Sequence, residues 1–258
     1  MDYFQHSIFR FIYKQINIVI LRIAFRIKGN ANLLNLGFNK CAIIIPHPDD
    51  EILGLGGLIL KILKSKGDIH FIYLTDGENS GIWPDKNEIR HARINLSEKA
   101  CSALGVPASN VYRMHIPDGS IPQLGQERFE NAVETVQRII EEVKPDAVFT
   151  THTDDYWPFD HVAAAHIAKE AVLRSNTRPE LWYYWVWTWY NIRPWQLLSG
   201  KFTKLRKINI REHLKSKRQL SNIYLDKLTP DGKPWSGILP KPLLKAFEFP
   251  FEVVERIL

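Results

Sequence analysis

Four short strand-like segments, each followed by a polar turn, constrain this chain more than any other feature. They occupy residues 41–45, 70–74, 111–116 and 147–150. The first, Cys41-Ala42-Ile43-Ile44-Ile45, is apolar at every position, as a strand covered on both faces should be. Between the runs the apolar period changes to that of a helix. Ile89, Ala92, Leu96, Ala100 and Ala103 share one face, and Gly105 is a stop signal. Phe129, Val133, Val136, Ile140 and Val143 form a second stripe, with Glu130, Glu134, Glu141 and Glu142 off it and Pro145 closing it. The order βαβαβαβ predicts an α/β, Rossmann-like, three-layer fold. Its sheet is mostly parallel, helices cover both faces, and the active site lies at the carboxyl ends of the strands.

The turn after the first run is Pro46-His47-Pro48-Asp49-Asp50-Glu51. A proline and an aspartate are ordinary in a turn. One histidine and three carboxylates exceed what a turn needs. His47 and Asp50, three residues apart with a bend between them, can converge on one cation, and imidazole plus carboxylate suits zinc or another divalent transition metal. Asp49 is then the carboxylate left free beside the metal. The plainer alternative is a helix-capping aspartate. The glycines that follow, Gly54, Gly56 and Gly57, lack the G-x-G-x-x-G spacing and no Gly-Lys-Ser/Thr follows, so this is not a nucleotide loop. The G-x-S-x-G elbow of serine hydrolases is also absent.

His47-Pro48-Asp49-Asp50-Glu51 resembles the signature of the LmbE-like, or PIG-L, deacetylases, zinc-dependent enzymes that remove acetyl groups from N-acetylglucosamine-type sugars. The resemblance runs from about Ala42 to the helix after His161, with weaker echoes to Ser221. It implies that His161 is the third metal ligand and that the neighbouring Asp160 orients a group nearby. It makes Asp49 the general base and acid. Thr75-Asp76-Gly77-Glu78 resembles the family's second segment, which puts Asp76 near substrate, although an Asp-Gly turn needs no function. Arg93, with Ala100, Leu104 and Gly105, resembles the family's R-x-x-E-x-x-x-A-x-x-x-L-G helix, with Leu96 where Glu is usual. Arg93 either reaches substrate or is a surface cation. Pro158 stands where the family often has a histidine that polarises the reacting carbonyl. Tyr156 is then the expected replacement donor, ahead of His152 or a nearby backbone amide.

Outside this region the chain is less explicit. Residues 1–30 are strongly apolar but carry Arg10, Lys14, Arg22 and Arg26. The charges break any bilayer-spanning run and do not suit a signal peptide. This segment is expected to be a basic amphipathic helix, either on a membrane surface or docked on protein. Gly29-Asn30-Ala31-Asn32 should end it. Residues 31–258 are read as one deacetylase domain with an aromatic and basic extension from about 181. Residues 181–190, dense in Trp and Tyr, suit a strand. Residues 203–222 suit a basic helix, and the Pro-rich remainder a surface loop.

Cys41 and Cys101 are expected as buried thiols, which fits a reducing compartment. Localisation is therefore expected to be cytoplasmic, with the inner membrane face as a variant. A net charge of +6 favours anionic surfaces, but no nucleic-acid motif is present. The expected partner is an N-acetylated sugar, free, nucleotide-linked or lipid-linked, and an oligomer remains open. The alternatives are an amide hydrolase with a non-sugar substrate, or a non-catalytic metal-binding homologue acting in assembly.

Overall fold

The computed structural model describes residues 2–27, 37–81, 83–156, 158–197, 202 and 204–258, with the side chains of 9–26 in the first helix. Residues 29–32, where the sequence suggests a break, lie outside that range. A seven-stranded sheet organises the molecule. Its strands are β1 (Lys40–Ile45), β2 (Asp68–Thr75), β3 (Val111–Ile116), β4 (Ala147–Thr151), β5 (Glu180–Tyr184), β6 (Leu205–Asn209) and β7 (Phe251–Arg256). Their order across the sheet is β3-β2-β1-β4-β5-β7-β6. The first five are parallel, and β7 runs antiparallel between β5 and β6.

Strand β1 shows why helices must cover both faces. Cys41, Ile43 and Ile45 enter one apolar cluster, while Ala42 and Ile44 enter the other. Both sets are fully buried, as the period of two requires. The second cluster takes in α4 (Phe129–Val143) and α5 (Phe159–Arg174). The first takes in α2 (Asp50–Lys64) and residues of α1 (Asp2–Ile27) and α8 (Lys241–Phe247). Close approach explains two glycines of α2. A Cβ on Gly54 would come within 2.4 Å of the Tyr184 ring, and one on Gly57 within 2.3 Å of Ile210.

Four local expectations change. The buried face of α3 (Lys86–Leu104) is Ile89, Arg93, Leu96, Ser97, Ala100 and Cys101, and Ala103 is exposed. The face is turned toward Arg93 because that guanidinium has partners inside the protein. Only 180–184 of the aromatic stretch form a strand; a short helix α6 (Thr188–Asn191) follows. Residues 203–222 are not one helix. They hold strand β6, a single 3₁₀ turn and the start of α7 (Leu214–Leu225). The segment read as a surface loop contains α8 and β7, and Val253 and Val254 of β7 are buried core. The strand was missed because its place between β5 and β6 depends on partners remote in sequence.

Chain order reverses between β1 and β4. From β1 the path leads outward through β2 and β3, and from β4 it leads the other way through β5. A crevice at such a reversal, beyond the carboxyl ends of the strands, is where open α/β sheets bind ligands. The Pro46–Glu51 turn leaves β1 there, and the start of α5 follows β4 on the same edge.

Candidate active site

Two side chains from opposite sides of the reversal meet across it. Nδ1 of His47 lies 3.2 Å from Nε2 of His161. Oδ2 of Asp50 is 3.5 Å from the first nitrogen and 3.2 Å from the second. Both rings and the carboxylate are buried. The far nitrogen of each ring is already engaged. Nδ1 of His161 donates to Asp155, 3.1 Å away. Nε2 of His47 is 3.1 Å from Asp118 and 3.3 Å from Asp160. Protons held at those far nitrogens leave lone pairs on the near ones. Two lone pairs and a carboxylate oxygen then point at one another in a buried space, which is unfavourable without a cation between them.

That triangle is the test of metal fit. Around a tetrahedral ion with bonds of about 2.0 Å, ligand atoms stand about 3.3 Å apart. The three edges match this, and two imidazoles with one carboxylate suit zinc or a similar divalent transition metal. The carboxylates behind each ring are the usual companions of metal-ligating histidines. His47, Asp118 and Asp160 also form a cluster able to hold a metal, but it uses the nitrogen of His47 turned away from His161.

The protonation energetics describe the same cation trap. Burial works against a charged His161 ring, yet Asp50 and Asp155 outweigh it and raise its pKa to about 9. Burial likewise opposes charge on His47, and hydrogen bonds that its ring donates to Asp118, Asp160 and Asp50 still hold its pKa well above the usual value. Asp118 shows the reciprocal effect: burial opposes its ionisation, but the hydrogen bond with His47 brings it down to about 2.

Asp49 is arranged differently. Its carboxylate does not cap α2. It lies 3.2 Å from a guanidinium nitrogen of Arg93. Its backbone sits at φ 133°, a conformation L-residues rarely adopt. Such strain persists where surrounding contacts impose it. Here the Asp49 amide donates to Glu51, and its carbonyl accepts from Ile52 and Leu53. Glu51 is itself held by the hydroxyls of Tyr224, at 2.5 Å, and Tyr73, at 3.3 Å. Burial lifts the Asp49 carboxyl well above the ordinary range, with Arg93 opposing the shift.

Asp49, Asp50, His47 and His161 line one cavity of about 260 Å³. Arg93 and Asp118 complete its polar end, and Leu53, Val186 and Trp187 form an apolar side. The segment from Ser236 to Leu239 closes another side. Ser236 is buried, and its hydroxyl has no hydrogen-bond partner among the described residues. Pro158 also lines the cavity, so the position of the family histidine is occupied by a side chain with nothing to donate.

Other residues singled out in the sequence stand elsewhere. Arg93 is buried and bonds the carbonyls of Pro48 and Gly77, so it is not a surface cation. Asp76 is buried near His115, Arg90 and Arg113 and does not line the cavity. Tyr156 is exposed and faces a separate cleft with Asp154 and Arg193. It does not line the cavity that His47, Asp50 and His161 share. His152 is tied to Glu255, 2.9 Å away. Asp160 lies behind His47 and accepts from the amides of Gly119 and Ile121.

The sequence reading missed Asp155, Asp118 and Ser236. Asp155 is fully buried and takes bonds from Val186 and from the amide and hydroxyl of Thr188 as well as from His161. A signal existed for Asp118, a carboxylate at the carboxyl end of a parallel strand. None existed for Ser236, which arrives from a distant loop. Of the aromatic stretch, Trp182, Tyr183, Tyr184, Trp185 and Trp189 are core, and Trp187 alone lines this cavity.

Comparisons with known proteins agree with the geometry. Diacetylchitobiose deacetylase of Thermococcus kodakarensis is 29% identical over 153 residues, which cover 54% of this chain and 52% of that protein. The chain thus spans about half the length of the curated relatives it matches. N,N'-diacetylchitobiose deacetylase from Pyrococcus horikoshii superposes with a TM-score of 0.58 at 20% identity, over 76% of this chain and 73% of that one. GalB, a 4-carboxy-2-hydroxymuconate hydratase from Pseudomonas putida, superposes with a TM-score of 0.55 at 16% identity, over 72% and 78%. At these identities the superpositions establish a shared fold, and a fold alone does not set a reaction. The family description GlcNAc-PI de-N-acetylase matches residues 42–172, which contain both halves of the site. With that match extending over half of its residues, the chain belongs to the PIG-L, or GlcNAc-PI de-N-acetylase, family.

Proposed function

We propose that this protein is a zinc-dependent N-deacetylase that hydrolyses the acetamido group of an N-acetylated amino sugar. The observation that carries this reading is Asp49: a buried carboxylate, engaged by Arg93 instead of capping its helix, that lines the same cavity as the three converging ligand atoms. His47, Asp50 and His161 would hold the ion. Bound there, zinc would supply Lewis acidity to the scissile carbonyl and to the attacking water.

The chain's own residues do the rest. Asp49 accepts a proton from the water that attacks the acetyl carbon. As the C–N bond breaks, it returns that proton to the leaving amine, so that acetate and the free amino sugar result. General acid–base help of this kind is worth roughly two to four decades in rate. Arg93 fixes the Asp49 carboxylate and favours its ionised form, which a base requires. Asp155 and the Asp118–Asp160 pair orient the two rings and keep their far nitrogens protonated. The small cavity, with Trp187 and Val186 on one side and polar groups on the other, suits a single sugar ring. The Ser236 hydroxyl, unpaired among the described residues, is offered to one of that ring's substituents.

Zinc-loaded protein should release acetate from one or more of a panel of acetamido sugars. A panel of acetylated amines without a sugar separates the other amide-hydrolase reading. Acetate from neither panel, with zinc bound stoichiometrically, would favour the non-catalytic reading.

A further inference from the structure

Helix α1 is apolar on its outward face as well as its inward one, whereas an ordinary surface helix turns a polar face to water. Its inner face is anchored by Ile18, Leu21 and Phe25, all buried, against α8 and the aromatic cluster of Trp185, Trp189 and Phe251. Cations take part in that docking. Lys14 sits over the Tyr190 ring, and Arg22 over the Phe249 ring. The opposite face is an unbroken apolar stripe: Phe9, Ile12, Tyr13, Ile16, Val19, Ile20 and Ile23. All seven are exposed, from 42% at Ile20 to 69% at Phe9. Successive members are three or four residues apart or adjacent, so they share about a third of the helix circumference. A continuous exposed apolar patch of this kind marks an interaction surface.

The surroundings choose the partner. Residues 9–27 contain no acid. Arg10 and Arg26 are exposed at the edges of the stripe. Between α1 and α8 lies a groove of about 540 Å³, lined by Phe11, Ile16, Val19 and Ile20 and rimmed by Lys241 and Lys245. Lys245 donates to Gln15, and the acid nearest in sequence on that helix end, Glu248, is paired with Arg218. A second copy docked on this face would set the same cations against each other. Anionic headgroups would neutralise them. Among the described residues no helix is long and apolar enough to cross a bilayer.

We propose that α1 docks the protein on an anionic membrane surface, lying in the interface with its apolar stripe among the acyl chains and Arg10, Arg26, Lys241 and Lys245 at the phosphates. Such binding combines buried apolar area with attraction to anionic lipid. It does not depend on the deacetylase reading.

Co-sedimentation of the full chain with vesicles tests it. Vesicles of equal parts phosphatidylcholine and phosphatidylglycerol should pellet the protein, and pure phosphatidylcholine vesicles much less. Ile16→Glu/Val19→Glu changes only exposed positions, so the fold, checked by circular dichroism, should be kept while binding drops at least about tenfold. Lys241→Glu/Lys245→Glu should weaken binding to the anionic vesicles and reduce its salt dependence, since Arg10 and Arg26 remain. Equal pelleting of the parent and the Ile16→Glu/Val19→Glu variant overturns the proposal. So does failure of the parent to pellet, above all if light scattering shows a dimer that the same variant dissociates.

Discussion

A guanidinium nitrogen of Arg93 lies 3.2 Å from the carboxylate of Asp49, with both side chains buried beside the cavity. The same guanidinium bonds the carbonyl of Pro48 at 2.6 Å and that of Gly77 at 3.1 Å. One cation therefore ties two strand-end turns together and sets the orientation of the proposed base. Arg93→Lys cannot reproduce this fork. Turnover should fall by roughly a hundredfold, the order of loss from a misplacement of about 1 Å, while zinc content stays at that of the parent. Retained turnover would remove the positioning role.

The same pair sets a pH dependence. Burial raises the Asp49 carboxyl, and Arg93 lowers it. A base must be ionised to act, so activity is lost as pH falls through its pKa. Arg93→Met removes the opposing effect, and the acidic limb of the kcat/KM profile should move to higher pH. A limb that stays in place, measured on the zinc-loaded variant, would show that another group controls it.

Asp49→Asn should leave zinc bound and remove about two to four decades of turnover. His161→Ala should lose the metal itself. Mass spectrometry of the native protein, or metal analysis after dialysis, distinguishes the two. If Asp49→Asn loses zinc as readily as His161→Ala, Asp49 is a ligand and not the base.

Backbone strain at Asp49 gives a separate test. At φ 133° a Cβ is strained and glycine is not. Asp49→Gly and Asp49→Ala both abandon Arg93, so that loss cancels between them. The glycine variant should be more stable than the alanine variant by about 1–3 kcal/mol in urea denaturation. Equal stability would mean that the turn relaxes when its carboxylate is removed.

Among the described residues Ser236 makes no side-chain hydrogen bond that folding would lose. Ser236→Ala should therefore leave the melting temperature unchanged. Losing one hydrogen bond of about 1 kcal/mol to the sugar should raise KM several-fold with little change in kcat. An unaltered KM across the acetamido-sugar panel would leave the hydroxyl without a substrate role.

Behind the site, Lys217 of α7 lies 2.7 Å from Glu252 of β7 and donates to the carbonyl of Leu53 at 2.8 Å. Glu252 also accepts from the amides of Gly57 and Leu58. Lys217→Met strands a buried carboxylate and should cost about 3–5 kcal/mol. The midpoint of a urea titration reports it, and a loss under about 1 kcal/mol would mean that water reaches Glu252.

The sequence by itself determined what local chemistry can determine. Strands β1 to β4 and helix α4 follow from apolar periods that each segment carries alone. The turn at 46–51 announces its chemistry because a histidine and three carboxylates stand together in it. Pairing His47 with His161 needed the family resemblance, since 114 residues separate them. Tertiary structure alone decided the rest. It placed Asp155 and Asp118 behind the rings, brought Ser236 to the cavity, inserted β7 between β5 and β6, moved Tyr156 to another cleft, and turned the apolar stripe of α1 outward. The physical reason is common to all five. A side chain's neighbours across a crevice, and the face of a helix that finds a partner, depend on which distant segments pack together, and no periodicity within a segment records that choice.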